Sequence, residues 1–470
     1  MRQPGSATDA AAATRRALGP RGVPGLGSLV AYRRDPAQFL MRLRRDHGPV
    51  ASMRMGPLTV TLAASPSAVR HVLVDRPDNY VRGQLYGQFR EVMGSGLLVA
   101  DTEQWRPHRR VMQPAFTRAA VDAYVPKVVG ATARMLDRWE VHAARGEPVD
   151  LVAETLRLAL GTISSALFAF DVDDRAALVK RVVDESIDVM FPHGHISEML
   201  PGWVPTARGR RVRRNRAVLH SLVDDIVAAP RAPGDGPLLD LIEAARSPDQ
   251  EPWSTAEVRD ELLTVYLAGH ETTAVSMLWT LVSLANNPAV REGVRAEVDA
   301  VLGGREPVPA DLPNLPYTTA VVSESLRMYP PIWLYPRDAV AEDELDGWPV
   351  PAGSSVLLSP LVTHRDPELW PSPDAFDPER FLSGVRPERG SYFPFGFGAR
   401  QCIGNLMATV ELQVALAMVV QRTDLGLLGG ELMRYGDSVV SLRPGSPVWA
   451  RPRPRASGAS RYATSANGRP

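Results

Sequence analysis

One short stretch constrains this chain more than any other: FPFGFGARQCIG, residues 393 to 404, which holds Cys402, the only cysteine among 470 residues. A free cysteine is most often a small buried hydrophobe with no chemical task. The neighbours of this one point elsewhere. Gly396, Gly398 and Gly404 remove side chains on both sides of it, so the backbone can bend sharply and a bulky group can come close. Downstream, GNLMATVELQVALAMVVQ carries Leu406, Val410, Leu412, Val414 and Met418 at helical spacing, which predicts a helix beginning just after the thiol. A thiol at a helix N-terminus lies beside unpaired N–H groups and the positive end of the dipole, and both favour the thiolate. The stretch describes a thiolate held ready for a large partner.

Within FGFGARQCIG, residues Phe395, Gly398, Arg400, Cys402 and Gly404 match the fixed positions of the haem-binding loop of the cytochrome P450 monooxygenases, and the chain resembles that family. The resemblance implies haem b as cofactor, with Cys402 as the axial thiolate ligand of its iron and Phe395 and Arg400 beside it. The fold it implies is mainly α with a minor β region, the haem held between a long central helix and the Cys loop.

Length alone would suggest two or three domains. The resemblance implies one, and no Gly/Ser linker divides the middle, so we expect a single domain over residues 23–452, with residues 1–22 and 453–470 disordered. The opening MRQPGSATDAAAATRRALGPRGVPGLG has no apolar stretch long enough for a signal peptide or a transmembrane anchor, as in the soluble bacterial members of the family. Lys+Arg and Asp+Glu are both 53, so no net field draws nucleic acid. One cysteine rules out internal disulfides and suits a reducing cytoplasm.

Coarse patterns agree with the implied fold. MRMGPLTVTLAASP alternates Leu58, Val60 and Leu62 with Thr59 and Thr61, predicting a two-stranded start to a small sheet, after which Ser65 and Pro66 open a short helix. Strand-like text returns in WPVPAGSSVLLSPLV and near Val439. Between them, WSTAEVRDELLTVYLAGHETTAVSMLWTLVSLANNP reads as one long helix, opened by a capping box of Ser254 and Glu257 and ended before Pro288. Its middle is apolar on all sides, as in a helix at the centre of a domain. A transmembrane span is the competing reading, which His270 and Glu271 at the midpoint and the lack of a second such segment disfavour.

AGHETT, Ala268 to Thr273, matches the family's oxygen-activation segment. Ala268 and Gly269 leave room beside the helix, and the Thr272 hydroxyl can bond back to the carbonyl one turn earlier and loosen the ladder. By the resemblance, Glu271 and Thr272 are the catalytic pair that relays protons to bound dioxygen. The plainer alternative makes Thr272 a helix-interior threonine and Glu271 a buried acid paired with an arginine. Further on, Glu324 and Arg327 in ESLRMYPP share a helix face. With Arg380 of FDPERF they are implied to form a buried charge network bracing the cysteine loop, a structural role.

WRPHRR supplies Trp105 and Arg109, which match the helix that grips the haem propionates; Arg337 in YPRDA and Arg400 fall where further propionate arginines are expected. Two carboxylates in a dry pocket call for forked, permanently charged donors. His108 reads as a solvated or capping residue, although some bacterial relatives set a histidine against a propionate. RGRRVRRNR, Arg208 to Arg216, is a dense basic run without interleaved aromatics, and we read it as a solvated helix face, with weak peripheral membrane contact as the alternative.

The reading that results is a haem-thiolate monooxygenase that inserts one oxygen atom from O2 into a hydrophobic small molecule. Electrons would come from a separate ferredoxin and NAD(P)H-dependent ferredoxin reductase, because no flavin or iron-sulfur domain fits in the remaining sequence. A peroxygenase, a rearranging enzyme or a non-catalytic haem binder is the alternative, and the pair Glu271 and Thr272 favours the monooxygenase. The resemblance places the substrate pocket at Leu97, at Met190 to Leu200, along the helix face of Val265, Ala268 and Thr272, at Ile332 to Leu334 and at Val439. These segments are mainly apolar, which suggests a terpene, a polyketide or a fatty acyl chain.

Overall fold

A computed structural model describes residues 17–83, 86–100, 102–170, 206–245, 251–384, 387–429 and 441–455, with 178, 181, 182, 185 and 186. Val439 and Met190 to Leu200, expected in the pocket wall, lie outside the described residues.

The long helix forms where its capping chemistry puts it, at Thr255–Asn286. The Ser254 hydroxyl accepts from the Glu257 N–H at 3.2 Å, and the Glu257 carboxylate accepts from the Ser254 N–H at 2.8 Å. Pro288, which lacks an N–H, opens the next helix, Pro288–Leu302. From Leu262 to Leu284 nearly every side chain is buried, so the helix is the axis of the molecule. Helices Leu151–Leu167, Asn405–Arg422, Pro316–Met328 and Ala207–Ala228 pack along it. At Gly269 an added Cβ would stand 2.2 Å from the Ile163 Cδ1, the tip of a side chain on helix Leu151–Leu167. Gly269 and Ile163 both line the cavity described below.

The β region is smaller. Strands are β1 (Val50–Met55), β2 (Leu58–Ala63), β3 (Tyr80–Val81), β4 (Val149–Asp150), β5 (Tyr335–Ala339), β6 (Asp343–Leu345), β7 (Trp348–Val350), β8 (Ser355–Leu358), β9 (Thr423–Leu428) and β10 (Trp449–Pro454). They form a five-stranded sheet in the order β1-β2-β8-β5-β3, a three-stranded sheet in the order β4-β10-β9, and the hairpin β6-β7. The alternating text yields the hairpin β1-β2, registered from Val50 opposite Ala63 to Met55 opposite Leu58. Ser65 then caps helix Pro66–Arg70 through the Ala68 N–H.

Two expected boundaries are corrected. Residues 17–22 belong to the fold: Ala17 is buried, and the Leu18 carbonyl accepts from the Ser52 N–H at 3.0 Å. At the other end, Arg453 and Pro454 pair with Asp424 and Thr423 in β10. β4 covers only Trp449 and Ala450, so the Arg-Pro repeat lies along an open edge, where proline is tolerated.

Candidate functional site

The cysteine loop is shaped by backbone. Gly396 and Gly398 both take φ near 72°, and a Cβ at Gly398 would stand 2.1 Å from the Leu73 carbonyl oxygen. Only glycine fits there. The Cys402 N–H donates to the Phe395 carbonyl at 2.9 Å, closing the loop, and helix Asn405–Arg422 begins three residues later. The thiol is exposed toward a cavity of about 680 Å³ and enclosed by protein on its other sides.

Burial pushes the Cys402 thiol up; the Gly404 N–H and the Arg109 guanidinium oppose this without reversing it. Desolvation wins, and a bound cation is what would ionise the sulfur.

Charged donors converge on the same cavity. Trp105 and Arg109 come from helix Thr102–Met112, Arg337 from β5, and Arg400 from the loop itself. Arg109 donates to the Gln401 carbonyl at 2.8 Å. The Arg400 guanidinium lies 4.3 Å from the Trp105 ring centre and donates to the Ala100 carbonyl at 3.1 Å. Arg337 donates to the Pro336 carbonyl at 2.7 Å and to the Tyr86 hydroxyl at 3.3 Å.

Sequence reasoning missed Arg82 and Tyr86, which line the cavity with them. Arg82 donates to the Leu98 carbonyl, while its Nε has no hydrogen-bond partner among the described residues. Desolvation, with the Arg337 charge adding to it, pulls the Arg82 guanidinium down to about 10. Burial by itself would raise the Tyr86 phenol, but Arg337 and Arg82 together outweigh it and hold it below its ordinary value. The region carries surplus positive charge, and Arg82, Arg109 and Arg337 have no carboxylate partner among the described residues. A dianionic group with a metal beside the thiol fits this donor set. No spacing rule in NYVRGQLYGQ marks Arg82 or Tyr86.

The opposite wall is the central helix. The Thr272 hydroxyl donates to the Ala268 carbonyl at 2.7 Å, one turn back. Glu271 is buried and accepts from the Ser441 hydroxyl at 2.5 Å and the Arg443 Nε at 2.9 Å, so the acid does have an arginine partner. Leu97, Val265, Ala268, Ile332 and Leu334 line the cavity, while Trp333 between the last two is buried in the core behind the sheet. Glu411, also missed, lies on helix Asn405–Arg422 at the cavity wall with no partner for Oε1 among the described residues. Burial pushes its carboxyl up to about 8, with the Thr162 hydroxyl pulling the other way.

Behind the loop, Arg327 holds Glu324 through Nε at 2.7 Å and Nη2 at 2.8 Å, and the Arg380 Nε reaches Glu324 at 3.1 Å. Glu324 and Arg327 are fully buried. Arg327 also donates to the His364 carbonyl at 2.7 Å, and the His364 Nε2 accepts from the Phe393 N–H at 3.0 Å, at the head of the cysteine loop. Burial, then the Arg327 charge, pushes the His364 imidazole down to about 3, so it stays neutral and keeps that acceptor.

One surface reading is corrected, and another needs an exception at one residue. His108 is neither solvated nor a cap: it is buried, because Glu261 of the central helix pairs with it at 2.6 Å and Trp253 stacks on it at 4.4 Å. In the basic run, Arg208 is buried and pairs with Glu91 at 2.8 Å, while Arg210, Arg211, Arg213, Arg214 and Arg216 are exposed.

A lone thiol facing clustered guanidinium groups across an apolar cavity, beneath a long central helix, defines the class of haem-thiolate proteins. The family model described as Cytochrome P450 matches residues 18–445. Cyclooctatin synthase of Streptomyces melanosporofaciens is 35% identical over 94% of this chain and 96% of its own length. Cyclooctat-9-en-7-ol 5-monooxygenase of the same organism is 36% identical over 86% and 88%. Pentalenene oxygenase of Streptomyces avermitilis is 30% identical over 86% and 90%. The crystal structure of the cytochrome P450DA heme domain superposes with a TM-score of 0.82 over 94% of this chain and 98% of that one, at 24% identity. The chain belongs to the cytochrome P450 family. It is a monooxygenase with haem b as its cofactor.

Proposed function

We propose that the enzyme oxidises a cyclic terpenoid, by hydroxylation or epoxidation, with electrons delivered by a separate ferredoxin and ferredoxin reductase. The observation that carries this is the cavity: Leu97, Val265, Ala268, Ile332 and Leu334 give it an apolar wall suited to a compact hydrocarbon. The relatives named cyclooctatin synthase, cyclooctat-9-en-7-ol 5-monooxygenase and pentalenene oxygenase favour a terpene over a polyketide or fatty acyl chain.

Bound haem supplies reductive activation of dioxygen and transfer of one oxygen atom to carbon. Cys402 would ligate its iron through Sγ, with Phe395 packed beside the sulfur. Trp105, Arg109, Arg337 and Arg400, joined by Arg82 and Tyr86, would hold the propionates by forked hydrogen bonds. Thr272 can turn its hydroxyl from the Ala268 carbonyl toward the cavity and donate there. Glu271, held by Ser441 and Arg443, would take up protons from solvent and relay them through water toward Thr272. The apolar wall keeps bulk water from the reacting carbon.

Titration of the purified holoprotein with cyclic terpenes, terpene alcohols and fatty acids, followed by the haem spectrum, tests the substrate class. A terpenoid should shift the spectrum at lower concentration than any fatty acid and be converted to a product one oxygen atom heavier. Tighter binding and turnover of a fatty acid would refute the terpenoid reading.

A further inference from the structure

Glu261, in the first half of the central helix, is fully buried and has no guanidinium partner among the described residues. Burying a carboxylate is costly unless hydrogen bonds occupy its oxygens. Here the two oxygens divide between two other parts of the chain. Oε2 accepts from the Leu97 N–H at 3.0 Å, and Oε1 meets the His108 Nδ1 at 2.6 Å. His108 is fixed in turn by its stack on Trp253.

Leu97 belongs to the segment GSGLLVA, residues 94–100, which follows helix Gly87–Met93 and takes neither helix nor strand. Side chains from elsewhere occupy its backbone groups instead. The Ser95 N–H donates to the Asp260 Oδ2 at 2.7 Å, one residue before Glu261 on the same helix. On the carbonyl side, Arg82 donates to Leu97 at 3.3 Å, and Arg90 donates to Val99 at 2.9 Å. Gly96 permits the close approach: a Cβ there would stand 2.5 Å from the Asp260 carbonyl oxygen and 2.2 Å from the Thr264 Oγ1. The segment is thus strapped to the central helix through its N–H groups and to arginines through its carbonyls. It also forms part of the cavity wall, where Leu97 and Leu98 face the same space as Thr264, Val265 and Ala268.

We propose that Glu261 is a positioning residue that sets where the Leu97 side chain stands in the cavity, and so which molecular shapes fit beside the haem, with His108 and Trp253 fixing the carboxylate. Leucine has no polar handle of its own, so its place follows from its backbone, and Glu261 is the group that holds its N–H. Without the carboxylate, that N–H would be buried and unpaired, and the segment would shift to satisfy it. Asp260 holds the strap two residues earlier, so losing Glu261 moves Leu97 without releasing the whole segment. The assignment concerns the shape of the molecule oxidised and not its chemical class, so it can fail while the terpenoid reading stands.

The test uses the haem-loaded protein and two iron-binding probes, imidazole and the bulkier 4-phenylimidazole, each titrated by the shift of the Soret band. Leu97→Ala is expected to weaken 4-phenylimidazole roughly fivefold relative to imidazole, through the lost apolar contact. Glu261→Ala should shift the ratio the same way. The double variant Glu261→Ala, Leu97→Ala should be no weaker than Leu97→Ala alone, because a residue that acts through Leu97 has no effect once that side chain is gone. Glu261→Gln can still accept from the Leu97 N–H and should stay within about twofold of the parent. His108→Phe keeps a ring on Trp253 and frees the carboxylate, so it should move the ratio in the same direction. If Glu261→Ala holds no haem, the same cycle run with His108→Phe and Leu97→Ala decides. Additive effects in the double variant would overturn the proposal. So would equal weakening of both probes, a ratio indifferent to Leu97→Ala, or one that changes in neither Glu261→Ala nor His108→Phe.

Discussion

Glu411 and Thr272 show how far single residues answer to their surroundings. Glu411 carries a carboxyl pushed up to about 8 by burial, above the 4.5 it has in the open chain. With the folded value raised, its contribution to stability is intact below about pH 4.5 and is lost as pH rises toward 8, at roughly 1.4 kcal/mol per pH unit. Glu411→Gln should therefore be more stable than the parent at about pH 9 and show a flatter stability curve between these limits in denaturant titrations. An unchanged slope would mean that the carboxyl titrates normally. For Thr272, the substitution Thr272→Val keeps volume and removes the donor. Substrate and haem binding should persist while product per NAD(P)H consumed falls and hydrogen peroxide rises in its place. An unchanged ratio would remove Thr272 from proton delivery and leave Glu271 or the substrate's own hydroxyl. Sequence pattern marked Thr272 and Glu271 but was silent on Glu411, Arg82 and Tyr86. Their significance comes from what surrounds them, desolvation in one case and a cluster of guanidinium groups in the other, and no local spacing encodes that.

Among the elements, the central helix was legible because its signals are local: a capping box at Ser254, apolar residues all round, and a proline at its end. The hairpin β1-β2 was legible for the same reason, through alternation at period two. What escaped was pairing between distant elements. His108 reads as a polar residue on a charged helix, yet it is buried because Glu261 and Trp253 meet it there. Arg208 looks solvated until Glu91 is seen beside it. The charge network behind the cysteine loop joins both kinds of information: Glu324 and Arg327 three residues apart on one helix, Arg380 and His364 from far along the chain. Arg327→Ala would strand the buried Glu324 carboxylate at a cost of about 3 to 5 kcal/mol and free the His364 carbonyl. The expected outcome is little haem-loaded protein, read as the ratio of haem absorbance to protein. Full haem content with a selective loss of turnover would contradict a bracing role.

At the scale of the whole molecule, one cavity between the central helix and the cysteine loop organises the rest, with the arginines and the apolar wall both facing it. The family and the mainly helical fold could be read from four short motifs in order along the chain, because each fixes a backbone shape or a buried charge that the fold cannot do without. The extent of the domain could not, since the ends that join β1 and β9 do so by backbone hydrogen bonds from sequence rich in Gly, Pro and Arg. Everything in this arrangement turns on the sulfur of Cys402, whose thiol is pushed up by burial and which a bound metal would ionise. The most direct measurement is the absorption spectrum of the carbon monoxide adduct of the reduced holoprotein. A Soret band at the position typical of thiolate-ligated haem, absent from Cys402→Ala, is the expected result; a band at the position of histidine-ligated haem, in protein shown to be folded, would contradict it.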